Sequence, residues 1–154
     1  MLILGLAASA QADTAAGIAA LRRGAYITAI AQLEPPARAG DALAQVNLAG
    51  IYHYGLGIAA NFAKAHQWYR AAALQDDPDG EIGLAVLYAV GQGVPVNLPL
   101  AHMWLTVALD GLPPGPDRER VRLNRDGIAE RMTAADLEES TTLVQAWYLN
   151  HRAP

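Results

Sequence analysis

The chain has 154 residues, 53% of them hydrophobic and only 6% aromatic, with a formal net charge of −4. One domain with a sizeable core is expected, close-packed alanine-rich helices fit better than a β-sandwich, and the modest acidity gives no footprint for nucleic acid. Cysteine is absent, which excludes disulfides, thiolate nucleophiles and zinc–thiolate sites.

The chain opens on an apolar run, MLILGLAAS, followed by Ala10-Gln11-Ala12 ahead of Asp13, an A-x-A cleavage pattern. Residues 1–12 are therefore expected to be a secretory leader, giving an exported, periplasmic protein. The basic segment of such leaders is missing, so the competing expectation is an ordinary buried helix start in a cytoplasmic chain. No apolar stretch approaches the length of a membrane-spanning helix.

From Asp13 the pattern predicts a helix closed by Gly24 in the C′ position, then a second helix with Tyr26, Ile30 and Leu33 at helical spacing. Pro35 and Pro36 each remove a backbone donor and are expected to kink or end that helix early. Residues 13–40 thus read as a divergent leading helix pair.

The next stretch is written twice. Leu48, Tyr52, Gly55, Gly57, Asn61, Ala65, His66, Trp68 and Ala72 recur 36 positions later as Leu84, Tyr88, Gly91, Gly93, Asn97, Ala101, His102, Trp104 and Ala108, without a gap. A fixed period of this length is the signature of stacked helical units that bury their apolar faces against one another. The units are 41–76 and 77–112. Asp41 and Asp77 are predicted N-caps, with Pro78 at the tolerant first helical position. Gly55 and Gly91 are predicted left-handed C-caps, and Asn61 and Asn97 cap the second helix of each pair. The glycines follow a helix rather than a strand, so they are no dinucleotide fingerprint.

Residues 113–154 break the period. LPPGPD reads as a loop, Arg118 to Met132 as a charged, solvated helix carrying Val121 and Ile128, and Thr133-x-x-Asp136 as a capping box. The last helix is expected to reach about Asn150, with Leu137, Thr141, Val144 and Tyr148 along one side.

The pattern Ala44-x-x-x-Leu48-Ala49-x-x-Tyr52-x-x-Gly55-x-Gly57, then Ala65-x-x-Trp68-Tyr69-x-x-Ala72, resembles the Sel-one-like repeat of the tetratricopeptide-like superfamily. The second copy departs from it at Gly80 and at Leu105. Asn124-Arg125-Asp126 and Arg131-Met132-Thr133-Ala134-Ala135-Asp136-Leu137 are similar to the closing region of bacterial members. The resemblance implies an all-α fold: a short right-handed α-solenoid of antiparallel helix pairs with C-terminal capping helices. It also implies a non-catalytic adaptor that binds a protein or peptide, here most simply as a monomer.

Residue chemistry agrees with a non-enzyme. Ser140 is followed by Thr141-Thr142-Leu143, so the S-x-x-K pair of a serine hydrolase is missing. His66 and His102 occupy equivalent places in neighbouring repeats, about 10 Å apart by helix packing, whereas a shared ion needs bonds of about 2 Å. No metal and no cofactor is expected. Repeat-equivalent Trp68 and Trp104 read as core rather than ligand cage.

On a helical wheel, Ala44, Ile51 and Tyr52 cluster with Leu48, leaving Val46, Gly50 and His53 on the other side. By resemblance this is the ligand-facing, concave side. The expected groove positions are Val46, Gly50, His53 and Tyr54, with Ile82, Val86, Ala89 and Val90 in the next repeat. Their apolar character suits a partner side chain better than bare solvent. The alternative is a purely structural module whose last helix fills its own groove.

Overall fold

The computed structural model describes residues 13–151, so the leader-like segment 1–12 lies outside the described residues. Every regular element among residues 13–151 is an α-helix, and none of these helices is long and apolar enough to cross a membrane. The described residues divide into two compact units that part between Gln75 and Asp76.

The first unit holds α1 (residues 13–22), α2 (Tyr26–Arg38), α3 (Ala42–Tyr54) and α4 (Phe62–Ala73). Gly17 lets α1 approach α2: a Cβ at this position would stand 2.6 Å from Leu33 Cγ. Contrary to expectation, α2 is not ended by its prolines; it continues through both to Arg38. The two lost donors fall in the last turns, Pro36 and Ala37 are buried, and Gln45 Nε2 donates 2.9 Å to the Ala37 carbonyl. Burial of the last turn offsets the missing amides, and the Gln45 bond satisfies one of the open carbonyls at the helix end.

Asp41 caps α3, accepting from the Ala44 amide at 3.0 Å, while its second oxygen accepts from Thr14 Oγ1 at 2.8 Å. Gly55 closes the helix at φ +64 and Asn61 caps α4 through the Lys64 amide. Helix α3 packs against both α2 and α4, so it is buried around most of its circumference rather than along one stripe.

The second unit holds α5 (Pro78–Val90), α6 (Leu98–Gly111), α7 (Pro116–Ala129) and α8 (Ala134–His151). The period reappears as geometry: Asp77 accepts from the Asp79 and Gly80 amides, Gly91 ends α5 at φ +78, and Asn97 caps α6 through the Leu100 amide. Helix α7 begins two residues earlier than its charged pattern suggests, because Pro116 suits the first helical position. The Arg118 guanidinium reaches back to the carbonyls of Leu109 and Leu112, satisfying the open end of α6. The capping box forms: Asp136 accepts from the Thr133 amide at 2.8 Å, and the Asp136 amide donates to Thr133 Oγ1 at 3.2 Å.

The buried stripe of α8 differs from the expected one. Ser140 and Trp147 face inward, Val144 and Tyr148 are half-buried, and Leu137 and Thr141 are exposed. The inward set follows the surface α8 covers, which is α6. Trp147 packs on Trp104, Ser140 bonds His102, and the Tyr148 hydroxyl donates to Asp110.

Candidate binding groove

Within the second unit, α5 and α7 line a cavity of about 360 Å³ with Leu105 of α6 among its lining residues. The α5 wall is Ile82, Ala85, Val86, Ala89 and Val90, a stripe at i, i+3, i+4, i+7 and i+8. The α7 wall is Leu123, Asn124, Gly127 and Ile128, continued past the helix end by Arg131. Three aliphatic side chains stand open to solvent here: Val86 is 40% exposed, Val90 61% and Leu123 57%.

The rest of α7 is held by its own charges. Arg120 pairs with Asp117, Arg122 with Glu119 and Asp126, and Arg125 with Asp126. Their guanidiniums hold the Glu119 and Asp126 carboxyls below the usual range. Leu123 emerges between these pairs and turns toward the cavity.

All four groove positions expected on α5 thus line this cavity. The four on α3 belong to the first unit and do not behave alike. Val46 is half-buried and Tyr54 exposed. Gly50 lies toward α4, where a Cβ would be 4.0 Å from Tyr69 Oη. His53 is only 7% exposed, stacked on Tyr54 at 4.6 Å and met edge-on by Phe62 and Tyr69. Its imidazole packs between α3 and α4 and shares a 3.5 Å contact with Tyr69 Oη, so it forms no part of an open surface.

Among the repeat positions, Ala44, Leu48, Tyr52, Ala65, Ala72, Leu84, Ala101, Trp104 and Ala108 are buried, while Trp68 and Tyr88 are half-buried. Gly57 and Gly93 carry φ of +68 and +74 in the loops. The contributions of α7, namely Leu123, Asn124, Gly127 and Arg131, were missed by sequence reasoning, as was Leu105. The signal was present: Leu123, Gly127 and Arg131 recur at four-residue spacing through a charged helix.

His102 Nδ1 and Ser140 Oγ share a hydrogen bond at 2.8 Å. Burial, and then the Arg125 charge, push the His102 pKa below its ordinary value, with Asp126 opposing. A serine on a histidine has the outline of a nucleophile pair, but Ser140 is only 1% exposed. The same cause, burial and then Arg70, lowers His66. Among the described residues no group of three or more acidic or histidine side chains is placed to hold a metal.

Residues 42–77 and 78–111 each match the family model described as the Sel1 repeat. The chain carries two Sel1 repeats. The fold is of the matching type, paired antiparallel helices with extra helices at the ends, since it is similar to the crystal structure of a protective antigen present in uropathogenic Escherichia coli strains displaying an SLR fold. The two share 25% identity with a TM-score of 0.81, over 94% of this chain and 31% of that one. This chain therefore spans about a third of the antigen's length. No curated protein matches. Sel1 repeats and the SLR fold are of the non-catalytic kind. In Sel1 terms, α3–α4 and α5–α6 are the repeats, α1–α2 precede them, and α7–α8 follow, with α7 forming the second wall of the groove.

Proposed function

We propose that this Sel1-repeat chain is a non-catalytic adaptor that holds an apolar segment of a partner protein in the groove between α5 and α7. The observation that carries the reading is the convergence of Val86, Val90 and Leu123, exposed aliphatic side chains from two helices, on one cavity. Aliphatic groups gathered in a concavity are stabilised by a partner's apolar surface, whereas a merely solvated face carries polar ones. The self-filled alternative is disfavoured by the placement of α8, which covers α6 and leaves these three side chains open. The sequence Ala10-Gln11-Ala12-Asp13 supports export as the setting, with a mature chain beginning at Asp13.

The test is substitution of the open groove residues. Val86→Glu and Leu123→Glu should keep the helical circular dichroism and melting of the parent and lose the partner in affinity capture from the producing cells. A folded variant that still captures the same partner as the parent would sink the reading.

A further inference from the structure

Resting on the groove reading above, we propose that the occupant is an amphipathic helical segment of a partner protein carrying an acidic residue within one turn of its apolar stripe. Arg131 is the residue that recognises that carboxylate.

Backbone groups decide the shape of the occupant. Both walls are helices whose amides are spent internally, so an extended peptide would find almost no backbone partners among these aliphatic side chains. A helix satisfies its own amides and presents side chains only. The α5 wall from Ile82 to Val90 covers about 12 Å at 1.5 Å per residue, the length over which a helix offers three anchors at i, i+4 and i+7.

One guanidinium decides its charge. Arg118 is occupied by two carbonyls, and Arg120, Arg122 and Arg125 by carboxylates. Arg131 lines the cavity, is exposed, and has no ion-pair partner among the described residues. No acidic side chain lines the cavity. An apolar groove bordered by a single unneutralised cation is complementary to an apolar ligand bearing a single anion, and the forked donors of arginine suit a carboxylate in particular.

A display library of randomised 16-residue peptides, selected on the immobilised full chain, tests this. The expected consensus has apolar residues at i, i+4 and i+7 with Asp or Glu within one turn. The synthetic consensus peptide, measured by fluorescence polarisation, should bind Arg131→Gln about two- to fivefold more weakly, the range for a partly exposed ion pair. Arg131→Glu should reverse the preference, favouring a peptide with Lys in the acidic position. An apolar consensus whose binding is indifferent to position 131, or one rich in proline and therefore extended, overturns this inference and leaves the groove reading standing. Peptides that bind parent, Leu123→Glu and Val86→Glu equally overturn both.

Discussion

The Trp147 ring in α8 and the Trp104 ring in α6 meet edge to face, with centroids 4.7 Å apart and planes at 69°. His151 stacks on Trp147 at 3.7 Å. This contact fastens the last helix to the second repeat and keeps it over α6. Trp147→Ala should therefore destabilise the chain by about 3–5 kcal/mol, the range for truncating a large buried aromatic. Trp68 is half-buried, so Trp68→Ala should cost clearly less. Urea titrations of the two variants check the order, and equal losses would contradict it.

His102 is kept neutral by burial, so its pKa in the folded chain lies below that in the unfolded chain. The unfolded state then takes up the proton first. The stability contributed by the neutral form is fully present above about pH 6.5 and is lost as pH falls below that value toward the folded pKa. His66 is lowered in the same direction. Unfolding free energy should fall as pH drops below about 6.5, and His102→Gln should flatten part of that slope. A parent whose stability is constant across this window would refute the assignment.

Gly55 ends α3 at φ +64, and a Cβ there would sit 2.9 Å from the Ala60 amide nitrogen. Backbone conformation and steric contact both oppose a side chain. Gly55→Ala should cost at least about 1–2 kcal/mol, measurable as a lowered melting temperature, whereas Gly127→Ala, which meets nothing within 4 Å, should be tolerated.

Much of this fold was legible because its local chemistry repeats. Asp41 and Asp77, Asn61 and Asn97, and Gly55 and Gly91 are short-range devices whose effect depends on a few neighbouring amides. The capping box at Thr133 and Asp136 was readable for the same reason. What escaped depended on tertiary contacts. The prolines of α2 read as terminators because the burial of Leu33, Pro36 and Ala37 that holds the last turn is a tertiary effect. His53 read as surface because the wheel of α3 alone does not include Phe62 and Tyr69 of α4. The candidate groove was half legible: its α5 wall followed from the helical wheel and the family resemblance, whereas its α7 wall lay in a segment where nine charged residues outweigh Leu123 in any local reading.

The most direct test of the groove is to ask which residue touches the partner. A photo-crosslinking amino acid is placed at Leu123 in one variant and at His66, on α4, in another, and each is expressed in the producing cells. A partner seated between α5 and α7 should give a discrete crosslinked adduct from position 123 that disappears when Val86→Glu is added, with little or none from position 66. An adduct formed from position 66 and absent from 123 would contradict this and move the binding surface to the second helix of the first repeat.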